Sequence, residues 1–163
     1  MIPNLRNQAM NIKVGDKAPH FSALTDDNQS LSLSELKGKS VVLFFYPKDM
    51  TPGCTNEACD FRDSYKKFLD INFEIVGISK DSVKRHKQFK EKFKLPFSLV
   101  SDEDGSICKA YGVWQEKKNY GRTYMGIVRS TFLIDTDGIV TAIWRKLRVK
   151  GHINNVLEEA INL

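Results

Sequence analysis

Two cysteines five residues apart are the strongest chemical signal in the chain. They lie in Pro47-Lys-Asp-Met-Thr-Pro-Gly-Cys54-Thr-Asn-Glu-Ala-Cys59, directly after the apolar run Val41–Tyr46. This order puts Cys54 just past a buried strand, at the start of a helix. Helix-start amides and the helix dipole favour a thiolate, which is the form that attacks electrophiles. Ionisation alone is a small effect. An ordinary thiol is only ~3% ionised at pH 7, so complete ionisation gains roughly 30-fold, against the ~10⁶-fold or more that enzymes commonly reach. The remainder must come from holding the electrophile and stabilising charge as it develops. The Thr51 hydroxyl and the amides of Gly53 and Cys54 are donors close in sequence. A fixed guanidinium from elsewhere suits such a site, because it holds thiolate and substrate oxygens together. Spacing leaves Arg62, Arg122, Arg129, Arg145 and Arg148 open for that role.

Cys59 poses a geometric problem. Five helical residues separate two Cα atoms by ~8.6 Å, beyond the ~7 Å that a disulfide spans. The two thiols cannot bond while both are helical, so a Cys54–Cys59 bond requires local unwinding and reduced order around residues 52–60. Cys108, flanked by Ile107 and Ala110, reads as a buried or incidental thiol. With no Cys-x-x-Cys pair and with His20, His86 and His152 scattered, zinc and dithiol-isomerase chemistry are disfavoured. The three histidines read as packing or surface residues rather than bases. The chain has no glycine-rich phosphate loop and no paired-carboxylate signature.

The elements that must position these thiols can be placed from pattern. Phe21–Leu24 and Ser30–Leu33 flank the turn Asp26-Asp-Asn28 as an N-terminal hairpin. Ser34–Gly38 is a single helical turn. Val41–Tyr46 is apolar throughout, as a central parallel strand is. A helix from Thr51 or Pro52 to Leu69 follows, with Ala58, Phe61, Tyr65, Phe68 and Leu69 on its core face and Pro52 suited to the first turn. Phe73–Ser79 and Phe97–Val100 are strands, and Ser82–Phe93 and Ser106–Tyr111 are helices. Asp135-Thr-Asp-Gly138 turns a hairpin between Ser130–Asp135 and Ile139–Arg145, and His152–Ile161 is a closing helix. Strand–helix–strand alternation followed by a hairpin and a terminal helix predicts an α/β chain of thioredoxin-like order, a central mixed sheet flanked by helices.

Size and composition set the outer bounds. The 163 residues, 41% hydrophobic and 28% charged, suit a single domain over residues 12–163 behind a polar tail at 1–11, in which Met10 is an alternative start. No apolar run approaches the ~18 residues of a membrane span, and the tail lacks a secretory core, so the reading is cytoplasmic. Net charge is +5, but the basic residues are spread out. In the densest stretch, Phe89 and Phe93 are four apart, the spacing of a buried helix face. That favours a solvated charged face over a nucleic-acid surface.

The chain resembles the peroxiredoxins, specifically the bacterioferritin-comigratory or Q-type group. The resemblance rests on Val14-Gly-Asp-Lys-Ala-Pro-His-Phe21, on Phe44 through Asp63 with the Pro-x-x-x-Thr-x-x-Cys signature at Pro47, Thr51 and Cys54, and on Tyr124 through Asp135. It implies a thiol peroxidase that reduces hydrogen peroxide and organic hydroperoxides. Cys54 is then the peroxidatic nucleophile, Arg129 the active-site arginine, Thr51 a peroxide-binding residue, Pro47 a shield over the sulfenate and Cys59 the resolving cysteine. It further implies thioredoxin or a similar dithiol as reductant, a monomer, and no metal or organic cofactor. A redox sensor using the same thiols is a rival reading. A holdase is another, though no hydrophobic stripe supports it.

Overall fold

The structure, a computed structural model, is described over residues 12–163, and the expected tail at 1–11 lies outside the described residues. A short antiparallel hairpin, β1 (Ser22–Leu24) and β2 (Ser30–Ser32), leads through a 3-10 turn at Leu33–Leu36 into β3 (Ser40–Phe45). Then come α1 (Pro52–Asp70), β4 (Phe73–Ser79), α2 (Val83–Phe93), β5 (Ser98–Ser101) and α3 (Ser106–Ala110). The chain ends with β6 (Trp114–Asn119), β7 (Arg122–Ile127), β8 (Ser130–Ile134), β9 (Val140–Arg145) and α4 (His152–Ile161).

The central sheet has the order β5-β4-β3-β8-β9. β3 is parallel to β4 and antiparallel to β8, so the strand expected to be parallel is the seam of a mixed sheet. Its apolar run has no polar face because both faces are covered. Successive side chains point to opposite sides. Val42, Phe44 and Tyr46 enter one core with Phe61 of α1, Phe89 of α2 and Val156 of α4. Val41, Leu43 and Phe45 enter the other with Ile107 and Cys108 of α3, Tyr111 and Phe132. Phe44 and Phe61 stack with ring centroids 4.7 Å apart, fastening α1 to the sheet beneath the cysteine-bearing turn. Gly77 on β4 makes room for this, since a Cβ there would lie 2.7 Å from the Phe44 ring.

The hairpin β6–β7 is absent from the sequence expectations. Its strands carry Gln115, Glu116, Lys117 and Lys118 on largely exposed faces, so hydrophobic alternation, the usual signal, is missing. Asn119 pairs with Arg122 across a two-residue turn, in which Tyr120 (φ 51°) and Gly121 (φ 77°) are both left-handed. That geometry normally selects Asn-Gly. Here Tyr120 holds the first position, and the turn is easily overlooked.

Candidate active site

The site forms where the carboxyl end of β3 meets the amino end of α1. β3 extends its pairing through Tyr46, whose amide donates to Ile78 O at 3.1 Å. Pro47, Lys48, Asp49 and Met50 then turn the chain, and Pro52 takes the first helical position. Met50 has φ 68°, a left-handed backbone that costs a non-glycine residue roughly 1 kcal/mol. Thr51 lies in the N-cap position without a side-chain cap. Its hydroxyl donates instead to Lys48 O at 2.7 Å, which leaves its lone pairs to accept a hydrogen bond from a ligand.

Cys54 is 1% exposed, more deeply set than its polar Thr-Pro-Gly approach suggests. Arg129, which follows β7 and precedes β8, brings Nη2 to 3.3 Å from Cys54 Sγ. Of the five arginines left open by spacing, this is the one at the thiol. Arg62 donates to Phe93 O and Asp63, Arg145 reaches toward Tyr111 O and Ile12 O, and Arg122 and Arg148 are exposed. Gly53 permits the approach, because a Cβ there would sit 3.2 Å from Arg129 Nη2.

Glu57, one helical turn beyond Cys54, is a site residue that pattern reading missed. It is fully buried, and its Oε1 accepts from Arg129 Nη1 at 2.8 Å. One guanidinium thus spans carboxylate and sulfur. Burial outweighs the pull of Arg129 and raises the Glu57 pKa to about 7. Its other oxygen, Oε2, has no hydrogen-bond partner among the described residues and is a natural seat for that proton. For Arg129, burial works against the charge, but Glu57 and Cys54 outweigh it and move the pKa upward. The i, i+3 spacing of Cys54 and Glu57 was a readable signal for a shared helix face.

Cys59 is half-buried in the same unbroken helix, and all three cysteines are free thiols. Burial raises the Cys59 pKa, and Arg62 partly opposes the shift. Cys108 is fully buried, and burial followed by the Asp102 carboxylate pushes its pKa far up. His152 is buried, with Nε2 2.8 Å from Thr131 Oγ1, and burial followed by Arg129 lowers its pKa to about 4. It is therefore neutral near pH 7. A surface cleft of about 660 Å³ opens beside Arg129 between the β6–β7 hairpin and residues 146–147. Lys117 on its wall donates to Ile127 O at 3.0 Å.

A thiol beneath a fixed guanidinium, at the first turn of a helix in a thioredoxin-like sheet, defines a thiol-based oxidoreductase. Known proteins narrow the class. Residues 14–143 match the AhpC/TSA family. A putative peroxiredoxin bcp of Coxiella burnetii is 52% identical over 91% of this chain and 98% of its own length. Peroxiredoxin Bcp of Bacillus subtilis is 50% identical over 91% of this chain and 95% of its own. A structure of the Xanthomonas campestris bacterioferritin comigratory protein, from work on alkyl peroxide reduction, superposes with a TM-score of 0.83 at 39% identity. It covers 87% of this chain and 90% of that one. A cysteine mutant of Xylella fastidiosa PrxQ gives 0.89 at 36% identity, over 93% and 97% of the two chains. The chain belongs to the AhpC/TSA family, within its Bcp or Q-type peroxiredoxins, and is a thiol peroxidase.

Proposed function

We propose that Cys54 is the peroxidatic nucleophile and Cys59 the resolving thiol of an enzyme that reduces hydrogen peroxide and organic hydroperoxides. The Cys54 thiolate attacks the terminal peroxide oxygen, the O–O bond breaks, and hydroxide or alkoxide leaves and takes a proton. Cys54 becomes a sulfenic acid. Arg129 holds the sulfur and the peroxide oxygens, Thr51 accepts a hydrogen bond from the peroxide O–H, and Pro47 screens the sulfenate from water. Cys59 then attacks the Cys54 sulfur and water departs, leaving a disulfide. The two electrons of the pair have gone to the peroxide. Thioredoxin or a similar dithiol returns them by thiol–disulfide exchange, and the enzyme works as a monomer. The observation that carries this reading is the 3.3 Å contact between Arg129 Nη2 and Cys54 Sγ at a helix start.

Stopped-flow tryptophan fluorescence tests it. The Trp144 ring lies edge-on to His152, which in turn stacks edge-on against Phe61 of α1, so Trp144 senses that helix. The intact protein should show an oxidation phase and then a resolving phase. Cys54→Ser should lose both. Cys59→Ser should keep the first, lose the second and stall in dithiol-driven turnover. An unchanged second phase in Cys59→Ser would reassign resolution to another thiol. A single oxidation that no dithiol reverses would favour the sensor.

A further inference from the structure

We propose that Tyr46, Asp49 and His86 are positioning residues for the cysteine loop: a buried clasp that fixes the chain through Asp49, so that the unwinding which lets Cys54 meet Cys59 begins at Met50. The proposal rests on the disulfide cycle above.

Asp49 is gripped from three elements, the end of β3, the turn after β4 and α2. Tyr46, at the end of β3, donates its hydroxyl to Asp49 Oδ1 at 2.6 Å. His86 of α2 places Nδ1 2.6 Å from Asp49 Oδ2. The Asp49 amide donates to Asp81 Oδ2 at 2.8 Å, in the turn after β4, and Arg85 Nη2 donates to Asp49 O at 3.3 Å. The other face of His86 is also tied, with Nε2 2.9 Å from Val100 O of β5. That carbonyl can only accept, so Nε2 is the donor of this bond. Tyr46, Asp49 and His86 are all 1% exposed or less.

The same bonds account for the close grouping of Asp49, Asp81 and His86, which bring one oxygen or nitrogen each to within 4.8 Å of one another. Asp81 Oδ2 also accepts from Ser79 Oγ at 2.6 Å, and Asp81 Oδ1 faces Arg85 Nε at 3.3 Å. Every polar atom of the group is engaged within the protein, so the cluster is a fastening rather than a cation site.

Beyond Asp49 the restraints change in kind. Met50 holds its left-handed backbone, and the Thr51 hydroxyl reaches back to Lys48 O. The helix then begins with Thr55 N donating to Thr51 O at 2.8 Å. These bonds are local, and they break when the first turn melts. The long-range ties past Asp49 are those of Arg129, to Cys54 at 3.3 Å and to Glu57 at 2.8 Å, and both are given up as the sulfur is oxidised and the turn withdraws. A strained residue therefore separates a fixed stem from a turn that can open, which is the arrangement of a hinge. The clasp gives the melted segment a fixed point from which to re-form the site.

Hydrogen exchange read by mass spectrometry on the full chain tests the hinge. In the oxidised wild type, peptides over residues 51–58 should lose protection by about tenfold or more, while those over 44–49 keep theirs. Tyr46→Phe removes one hydroxyl and keeps the ring. It should raise exchange at 46–49 by about tenfold in the reduced and oxidised forms alike, and slow the first oxidation phase several-fold. Asp49→Asn, retaining the shape of the side chain, should do the same. If oxidation exposes 46–49 in the wild type, or if both variants oxidise and exchange like wild type, the clasp is overturned. Slower oxidation with unchanged exchange at 46–49 overturns it too. Peptide mapping separates this from the cycle itself. If oxidised protein lacks a Cys54–Cys59 bond, the resolving assignment falls, and the clasp is still judged on the reduced variants.

Discussion

Cys54 and Cys108 are both buried thiols near the first turn of a helix, at 1% and 0% exposure, yet their surroundings have opposite sign. Cys54 meets the Arg129 guanidinium at 3.3 Å. Cys108 donates its backbone amide to Asp102 Oδ2 at 2.8 Å and shares that carboxylate with Ile107 N. At α1 the chain delivers a cation to the sulfur, whereas at α3 it delivers an anion that caps the helix. Helix-start position is common to both. The cation bonded to Cys54, with none bonded to Cys108 among the described residues, separates a thiol able to carry out chemistry from one that packs, because an unpaired thiolate is costly to bury.

The sharpest way to break this contrast is to remove the cation. Arg129→Ala should slow the peroxide phase by about a hundredfold, the usual effect of deleting a donor aimed at developing charge. The resolving phase, which takes place with the helix opened, should change much less. Equal slowing of both phases would mean that Arg129 merely supports the fold.

Glu57 offers a smaller and more diagnostic effect. Its folded pKa of about 7 lies above the ordinary carboxylate value, so folding takes up a proton between those two pH values. The sign follows. The native state is favoured when Glu57 is protonated, loses stability as pH rises through that window, and is level above it. Glu57→Gln removes this dependence. The melting temperature of the variant relative to wild type should therefore climb between pH 5 and pH 8, by the equivalent of on the order of 2–3 kcal/mol. The amide keeps an acceptor for Arg129 but not its charge, so the peroxide step should slow by about tenfold or less. A stability difference constant with pH would show that the Arg129 partner is ionised throughout.

The sequence was legible where burial left a periodic trace. The run from Val41 to Tyr46, the Pro52 helix start and the turn before Gly138 all state their local structure directly, and the mixed sheet follows from their order. Arg129 was different. Spacing left five arginines open, since what brings this one to Cys54 is the preceding β6–β7 hairpin, whose solvated strands carry no hydrophobic signature. The i, i+3 spacing puts Glu57 on the helix face of Cys54, but nothing local reveals the distant guanidinium that covers it. The Asp49–His86 contact joins residues 37 apart and depends on α2 crossing beside the loop. Such long-range polar contacts are set by tertiary packing, so they are the part that pattern cannot supply.

The smallest expected effect concerns the thiol outside the cycle. Burial is the first cause of the raised Cys108 pKa and Asp102 the second, so removing the charge alone should not wake the sulfur. Asp102→Asn also loses one of two acceptors for the amides of Ile107 and Cys108, which should cost about 1 kcal/mol in urea unfolding. Alkylation of Cys108 in the native variant should stay within about twofold of wild type, because closed packing gates the reagent. If Asp102→Asn instead made Cys108 react as fast as Cys54, the carboxylate rather than burial would be what silences it. The difference between the two helix starts would then reduce to the sign of one neighbouring charge.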